Sequence, residues 1–594
     1  MEKWFIKNSN NYKLSYEKFG LNKILYKILL NRGIKTDQEI ENYLNIKLEN
    51  THSPILLKDM IKGANLISSH IKKNSNIRIV GDYDVDGICS TYILFKGLKN
   101  LGANVSYDIP DRVHDGYGIN KRIVNKAYEE NVGLIITCDN GIAAFEAVEH
   151  AKKLSMDIIV TDHHECPQIE ENGELVEKIP SADAVIDPKQ KNSKYPFKDI
   201  CGACVAFKLI LYLYLINGKD ESDVYNEFLS YLTFATICDV MPLKDENRIY
   251  VHYGLKTLRT NKDPSLNALF DACNINKENI DVYHIGFILG PTLNACGRLR
   301  SAKEALEMLL TKNYEEALIK ANSIRGLNNK RQEYTNEAYE KALKIINNES
   351  LLKRNPILIV YIPKINESII GIVAGRIKEK FYRPTIILTD SEGVIKASGR
   401  SIDEYNIFEN VNLFRERLEA FGGHKMACGF SIKKEFLEGF KEDLNKNAKL
   451  TKDDLSKKIY IDYPLKFSQI NMDLFTNLRR FEPYGTGNEK PIFGNKDVKI
   501  IDIAFFGTNK NVIKLTLDDG TAIIKAVLFK DGDDFLSGLS NAYGKEAVLS
   551  LLKKTNKNIK IDLIFSLEIN NFRGNSNIEL RVKSYRVSGD KNDN

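Results

Sequence analysis

Three aspartates stand at alternate positions, Asp82, Asp84 and Asp86, in the stretch DYDVDG that follows the apolar residues IRIV. Carboxylates at that spacing repel one another, so something else must neutralise them. Carboxylate oxygens are the ligands that divalent ions such as Mg²⁺ and Mn²⁺ prefer. The stretch therefore predicts a metal site at the end of a buried strand.

Similar polar residues follow other apolar runs. Asp139 follows GLIITC, the triplet Asp162, His163 and His164 follows DIIVT, and Asp239 follows TIC. A single aspartate at such a place is more often a turn former or a helix cap. Four such sites favour the metal interpretation, because the functional groups of an α/β sheet gather beyond the carboxyl ends of its strands.

The elements that must position these groups alternate between strands and helices from residue 77 to about 190. This alternation predicts a parallel sheet covered on both faces. Residues 200–310 are predicted to be mostly helical, and 301–350 to form one or two long charged helices. A second α/β segment begins at residue 356. From about residue 458, short alternating strands predict a small barrel, an OB-fold by preference.

We therefore predict an α/β protein with a parallel sheet, a long connecting helix, a second, smaller α/β domain and a C-terminal β-barrel. The predicted parts are an N-terminal helical extension (1–70), a catalytic domain (71–300), connecting helices (301–350), a second α/β domain (351–450) and an OB-fold domain (458–590).

The composition of the 594 residues is that of a globular protein, with 43% hydrophobic and 28% charged residues. Lys and Arg (85) exceed Asp and Glu (79) by 6, which is too little to indicate nucleic acid by itself. No run of about 18 apolar residues occurs, so no membrane span is expected. Nine cysteines, mostly isolated, fit a reducing cytoplasm, where we expect the protein to act. The pair Cys201 and Cys204 has no second pair at zinc-finger spacing.

Four motifs occur in the order GDYDVDG, TCDNGI, TDHHE and ICDVMPL, and together they resemble the DHH phosphoesterase superfamily. Longer segments resemble the RecJ family within it. These segments are DGYGIN (115–120), YPFKDICGACVAFKL (195–209), GPTLNACGRL (290–299), LNNKRQ (327–332), GIVAGRIKEKFYRP (371–384), ASGRS (397–401), GGHKMACG (422–429) and FEPYGTGNEKPIF (481–493). The resemblance covers roughly residues 50 to 590, and segments this long in this order are far more specific than one short motif.

The resemblance implies a site with two ions, Mn²⁺ or Mg²⁺. One ion would be held by Asp82, Asp84 and Asp139. The other would be held by Asp86, Asp139, His163 and Asp239, with Asp139 bridging the two ions. The allocation of Asp82 and Asp86 stays open, because many superfamily members have a histidine in the first motif.

Catalytic roles are expected for His164, Asp139 and Asp162. Asp162 is predicted to orient the ring of His163, because a metal-bound histidine usually donates its other N–H to a carboxylate. His164 would approach the phosphate that is cleaved and stabilise its developing charge.

Phosphate-binding groups are expected in the loops that resemble the family. Their members are Arg298, Arg400, Gly422, Gly423 and His424. Guanidinium groups suit phosphate oxygens, and glycines let backbone N–H groups approach a phosphate closely. Thr292 stands where the family motif usually has a basic residue, which would weaken one phosphate contact.

The family resemblance implies an exonuclease that degrades single-stranded DNA from the 5′ end and releases nucleoside 5′-monophosphates in DNA repair and recombination. It also implies a ring-like cleft that admits one strand, with a helicase and a single-strand-binding protein as partners, and we expect a monomer. Two alternatives stay open. One is a DHH phosphodiesterase acting on short oligoribonucleotides, and the other is a non-catalytic replication scaffold.

Overall fold

The computed structural model describes residues 2–7, 16–111, 116–171, 173–391, 393–555, 558–572 and 575–588. The chain divides into two compact units, one formed by residues 1–46 with 457–594 and the other by residues 47–456. The N-terminal part of the first unit contributes strand β1 (Glu2–Ile6) and helices α1 (Lys23–Asn31) and α2 (Asp37–Leu44). None of the described helices is both long enough and apolar enough to cross a membrane.

The larger unit begins with a parallel sheet whose strands alternate with helices, as predicted. Its elements are α3 (Met60–Lys72), β2 (Asn76–Val80), α4 (Val85–Asn100), β3 (Asn104–Asp108), α5 (Lys121–Glu129), β4 (Val132–Cys138), α6 (Phe145–Lys153), β5 (Asp157–Thr161), a separate hairpin of β6 (Gln168–Glu171) and β7 (Glu174–Glu177), and β8 (Ala184–Ile186). The strands pair in the order β3-β2-β4-β5-β8, all parallel. Ile136 lies in the core on one face and Ile135 in the core on the other. Both faces are therefore buried, which explains the unbroken apolar strands.

A helical layer follows the sheet. It consists of α7 (Gly202–Ile216), α8 (Glu221–Cys238), α9 (Asp245–Arg259), α10 (Pro264–Ala272), α11 (Val282–His284), a π-helical turn (Ile285–Leu289), α12 (Gly290–Leu299) and α13 (Lys303–Leu310). Helix α7 is largely apolar and buried, and it packs against α4 and α8. Its buried charged residue, Lys208, forms an ion pair with buried Glu246 at 2.8 Å.

One long helix, α14 (Tyr314–Asn348), connects the first α/β domain to the second. Its first half packs into the core of the first domain through Ile324 and Leu327, and its second half packs into another core through Ala338 and Ala342. The second domain contains α15 (Leu351–Arg354), β9 (Leu358–Tyr361), α16 (Ile370–Phe381), β10 (Thr385–Ser391), β11 (Val394–Arg400), α17 (Ile407–Asn412), β12 (Leu418–His424), β13 (Ala427–Ile432) and α18 (Leu437–Asn447). Its sheet has the order β12-β13-β11-β10-β9.

The smaller unit is built on a closed barrel. Its remaining elements are β14 (Lys457–Ile461), β15 (Tyr463–Pro464), α19 (Met472–Arg479), β16 (Phe493–Phe506), β17 (Val512–Asp518), β18 (Ile523–Phe529), α20 (Gly532–Tyr543), α21 (Lys545–Leu552), β19 (Lys560–Phe572) and β20 (Asn575–Val587). Strands β16-β17-β18-β20-β19 pair in that order, and a further pairing of β19 with β16 closes the ring, as an OB-fold requires.

The N-terminal residues fold differently from the predicted extension (1–70). Leu25, Ile28 and Leu29 of α1 lie in the same apolar core as barrel residues, and β1 pairs in parallel with β14. In contrast, α3 packs in the larger unit against β8. The chain therefore crosses from one unit to the other near residue 46, because the apolar side chains of α1 are covered by the barrel unit.

Candidate metal centre

The ends of three neighbouring strands bring the acidic residues together. Asp82, Asp84 and Asp86 lie between the end of β2 and the first turn of α4, and Asp84 caps that helix by accepting a hydrogen bond from the Gly87 N–H at 3.1 Å. Asp139 follows β4 directly, in a left-handed backbone conformation with φ +61°. Because β2, β4 and β5 are adjacent and parallel, their carboxyl ends meet at one edge of the sheet.

Two groups of ligand atoms lie at this edge. Asp82, Asp84 and Asp139 form the first, and Asp86, His163 and Asp239 form the second; within each group the ligand atoms lie within 4.8 Å of one another. His163 Nε2 lies 3.1 Å from Asp139 Oδ1 and 3.6 Å from oxygens of both Asp86 and Asp239. The structure thus brings together all six residues predicted as ligands, with Asp139 adjoining both groups; their division between two ions stays a prediction.

Burial and mutual repulsion dominate the electrostatics of this cluster. Burial, with the charge of Asp84, raises the pKa of Asp86 to about 7. Burial, with the charge of Asp86, raises the pKa of Asp239 to about 8 and that of Asp139 well above its usual value. Burial also lowers the pKa of His163 to about 3, so its ring is neutral at pH 7, as a metal ligand must be. Crowded carboxylates around a neutral imidazole suit divalent cations, whose charge would lower the pKa of the carboxylates and keep the imidazole neutral.

Buried polar atoms in the cluster support the same conclusion. Among the described residues, Asp139 Oδ1 and Asp239 Oδ2 are buried and make no hydrogen bond. A buried acceptor without a donor is costly unless a cation takes the donor's place. The residues present therefore fit Mn²⁺ or Mg²⁺.

Asp86 is held by the first turn of α7. The backbone N–H groups of Gly202 and Ala203 donate to its two carboxylate oxygens at 2.6 and 2.7 Å. A carboxylate is favourable there, because the N-terminus of a helix carries free N–H groups and a partial positive charge. A Cβ at Gly202 would lie 2.6 Å from the Cβ of Asp139, so this position needs glycine. The sequence prediction missed this role of the segment ICGAC, in which Cys201 and Cys204 are buried free thiols.

Asp162 orients a different histidine from the one predicted. Asp162 Oδ1 lies 2.7 Å from Nδ1 of His164, whereas His163 contacts it only through the backbone N–H, at 2.8 Å. The Ile142 N–H fixes the other oxygen at 2.9 Å. The reason is local, because consecutive side chains after the strand point in different directions and His163 turns toward the metal ligands. The expected contact between Asp162 and the His163 ring is therefore replaced by one to His164.

The same contact sets the charge of His164. Burial opposes protonation, but the hydrogen bond from His164 to Asp162 outweighs it and raises the pKa of His164 to about 9. The side chain is 47% exposed while that of Asp162 is 1% exposed. A protonated ring held this way can donate to an anion from its Nε2–H.

Tyr117 and Asn140 also contribute to the site, and both were missed. The Tyr117 hydroxyl donates to the carbonyl oxygen of Asp139 at 2.8 Å and lies 3.4 Å from His164 Nε2. The Asn140 amide donates to the carbonyls of Val80 and Cys138 and accepts from the Ile119 N–H. Asn140 therefore ties together the ends of β2 and β4, and the N in TCDNGI was its only signal.

The predicted phosphate-binding arginines meet at the start of α16. Arg298 of α12 donates to the carbonyl oxygen of Ser368 at 3.0 Å. Arg400 lies so close to Gly371 that a Cβ there would be 2.8 Å from its Nη2 atom. Arg400 also donates to Ser398 Oγ and to the carbonyl oxygen of Gly399. The structure places both guanidiniums beside one helix N-terminus, while phosphate binding by them stays a prediction.

The glycine-rich segment lies in the same sheet. Arg400 and His424 flank Ala427, one across each side of β13. Burial and the charge of Arg400 lower the pKa of His424. Gly422 has no atom within 4 Å of a potential Cβ, whereas Gly423, at φ +144°, would place a Cβ 2.4 Å from the Ala427 carbonyl oxygen. Gly423 is therefore required by the backbone, and Gly422 leaves open space beside the strand.

Thr292 does not take the place of a phosphate-binding base. Its side chain is fully buried, and its hydroxyl donates to the carbonyl oxygen of Ile288 at 2.7 Å. The same hydroxyl accepts from Asn328 Nδ2 of the connecting helix at 3.2 Å. A weakened phosphate contact at this position stays a prediction, and in the structure the residue packs α12 against α14.

Comparison with known proteins identifies related chains. Three family descriptions match: the DHH family N-terminal domain over residues 76–236, the DHHA1 domain over 354–450 and the RecJ OB domain over 461–584. The chain is 32% identical over 537 residues to the single-stranded-DNA-specific exonuclease RecJ of Bacillus subtilis, covering 89% of this chain and 66% of that protein. It is 30% identical over 570 residues to the protein of the same name from Haemophilus influenzae, covering 93% and 94%.

Solved structures agree. The chain resembles RecJ of Thermus thermophilus in complex with Mn²⁺ with a TM-score of 0.79 and 23% identity, covering 98% of this chain and 79% of that one. A manganese-bound exonuclease RecJ matches with a TM-score of 0.56 and 29% identity, covering 66% of this chain and 94% of that one. The first similarity establishes the fold. The second is to a manganese-bound structure with higher sequence identity.

Proposed function

The chain belongs to the RecJ family, and from this premise we propose that it is a metal-dependent exonuclease that degrades single-stranded DNA. The observation that carries the proposal is the two ligand groups at the converging strand ends, with Asp139 of the first group 3.1 Å from His163 of the second. Two ions sharing one carboxylate can hold both the attacking and the leaving oxygen of a phosphodiester hydrolysis.

The residues around the proposed ions have distinct tasks. Asp82, Asp84 and Asp139 would hold one ion, and Asp86, Asp139, His163 and Asp239 the other, with Mn²⁺ or Mg²⁺ as the cofactor. When bound, the ions lower the pKa of a water molecule and neutralise charge on the phosphate.

The residues that do not hold metal would bind the phosphate and stabilise its charge. His164, fixed and kept protonated by Asp162, donates to an oxygen of the phosphate as negative charge develops on it. Arg298 binds the phosphate from α12, and Arg400 and His424 bind it from the second domain, beside the N-terminus of α16. The open space at Gly422 lets the backbone approach a phosphate.

Finer points of the function rest on the family. We propose digestion from the 5′ end, release of nucleoside 5′-monophosphates, action as a monomer, and a role in DNA repair and recombination. A helicase and a single-strand-binding protein are the proposed partners. All nine cysteines are free, which supports a cytoplasmic location.

The experiment uses purified protein with Mn²⁺ or Mg²⁺ and strands labelled at either end. We expect the 5′ label to be released first as a mononucleotide from a single strand. A blunt duplex should resist, and a duplex with a 5′ single-stranded tail should be trimmed to near the junction. Faster cleavage of dinucleotides than of long strands would favour the oligoribonucleotide phosphodiesterase, and metal binding without any cleavage would favour the scaffold.

A further inference from the structure

Two arginines lie against the middle of the connecting helix α14. Arg331 belongs to this helix, and its Nε donates to Asn328 Oδ1 at 3.0 Å. Arg376 belongs to α16, and its Nη1 donates to Asn336 Oδ1 at 2.7 Å. Both hydrogen bonds end on neutral amide oxygens, so they position the guanidiniums without neutralising their charges.

These two charges have no acidic counterpart among the residues that the structure describes. Among the described residues, neither Arg331 nor Arg376 has a carboxylate oxygen within ion-pair distance, and neither has a further partner beyond those amides. Burial and the charge of Arg376 both lower the pKa of Arg331, and no acid acts against them. Arg331 is partly buried, and a like charge beside a partly buried cation is unfavourable until an ion of opposite sign binds. The crowded aspartates of the metal centre are the opposite case, in which like negative charges are stabilised when a cation binds.

Contacts connect this pair to the predicted phosphate groups. Asn328, which accepts from Arg331, donates to Thr292 of α12, and α12 also carries Arg298. Arg298 in turn reaches Ser368, just before α16. Arg376 follows Gly371, the neighbour of Arg400, by five residues of α16, or about 7.5 Å along the helix axis. The pair therefore lies further along the same helix that begins at the predicted phosphate site.

We propose that Arg331 and Arg376 form a second phosphate site, which binds an internucleotide phosphate of the strand beyond the one at the metal centre. Planar guanidiniums suit phosphate oxygens, and contacts to the backbone bind a strand without reading its sequence. This inference rests on the proposed function, because it takes single-stranded DNA as the ligand. The site adds length dependence to binding, since a strand too short to reach it loses one contact.

The test compares Arg376→Gln with Arg354→Gln. Arg376 is exposed and can lose its charge without leaving a cavity. Arg354, exposed on α15, forms no hydrogen bond or ion pair with other described residues and is the matched control. Binding of a 5′-phosphorylated strand of about 20 nucleotides is measured without divalent metal between about 50 and 300 mM salt. In Arg376→Gln, the slope of log affinity against log salt should fall by about 0.7, the value for one lost phosphate contact on a single strand. Arg354→Gln should keep the wild-type slope.

A second variant guards against an indirect effect. Arg331→Gln should reduce the slope in the same direction, and the double variant should lose little more than either single change if one phosphate is shared. An unchanged slope in Arg376→Gln would overturn the inference. So would weaker inhibition by a nucleoside 5′-monophosphate with unchanged strand binding, because the site would then hold a free product. Failure of wild-type protein to cleave single strands would instead reject the proposed function, since the slope is measured without cleavage.

Discussion

The ring of His164 lies 2.7 Å from the carboxylate of Asp162, two residues before it in the chain. The ring of the intervening residue, His163, points instead toward the candidate metal ligands, and its Nε2 lies 3.1 Å from Asp139. The two adjacent histidines therefore differ in charge, because burial lowers the pKa of His163 to about 3 while the contact with Asp162 raises that of His164 to about 9. One of them is suited to a cation and the other to an anion.

Asp162→Asn is expected to reduce kcat about 100-fold, and His164→Ala by a similar factor, because each removes the same protonated ring from its position. The double variant should be little worse than either single one, since the two residues act as a unit. Single-strand cleavage is measured at saturating Mn²⁺, with the Mn²⁺ affinity as the control. Losses that multiply would show that the two residues act separately.

Asp139→Asn should abolish cleavage, by about a thousandfold or more, because no neighbouring carboxylate can join the two ligand groups. Strand binding should stay near wild type. The metal-free variant should be at least as stable as wild type in urea, since one charge leaves a crowded acidic cluster. Activity within about tenfold of wild type would reject the shared-ligand assignment.

Metal binding should separate the two groups. In calorimetric titration with Mn²⁺, wild type should bind two ions. Asp82→Asn should lose one of them and Asp239→Asn the other, because these residues belong to different groups. Asp139→Asn should weaken both. Two ions retained at full affinity in either of the first two variants would contradict the allocation.

Residues 47–456 should fold alone and keep the metal centre. This chain should cleave short strands but bind long ones more weakly, because the barrel unit is missing. A chain of residues 1–456 should aggregate more, because Leu25 and Leu29 of α1 lose the barrel core that covers them. Size-exclusion chromatography and strand affinity check both statements. Wild-type affinity of 47–456 for long strands would remove the barrel from strand binding.

Asp519→Asn should destabilise the barrel unit in a pH-dependent way. Burial raises the pKa of Asp519, but hydrogen bonds from Thr521, the Phe467 N–H and Asn495 outweigh it and hold the pKa at about 2. The folded value lies below the ordinary value of about 3.9, so the ionised group stabilises the fold above pH 4, and this contribution is lost as pH falls toward 2.

Partial exposure limits the size of this effect to about 1 kcal/mol at pH 7. Urea unfolding of wild type and variant between pH 7 and pH 3 provides the measurement. The difference in the free energy of unfolding between wild type and variant should be constant above about pH 4.5 and should decrease below it. A difference that widens on acidification would contradict the sign.

The sequence alone predicted the parallel sheet, the connecting helix, the barrel and the grouping of the candidate ligand residues. Each of these depends on local pattern. Apolar runs four to seven residues long predict buried strands. Once these strands form a parallel sheet, their carboxyl ends lie at the same edge. Asp82, Asp139 and His163 could therefore be grouped without coordinates.

Tertiary structure alone decided which neighbour each side chain meets. Three contacts join residues whose spacing in the sequence shows no periodic pattern that would predict them. They are the contact of Asp162 with His164, the hydrogen bond from Asn328 to buried Thr292, and the hydrogen bonds from the N–H groups of Gly202 and Ala203 to Asp86. The return of residues 1–46 to the barrel is likewise a matter of which apolar surface is left to cover. Side-chain direction after a strand depends on backbone angles, as with Asp139 at φ +61°, and packing of the whole chain sets those angles.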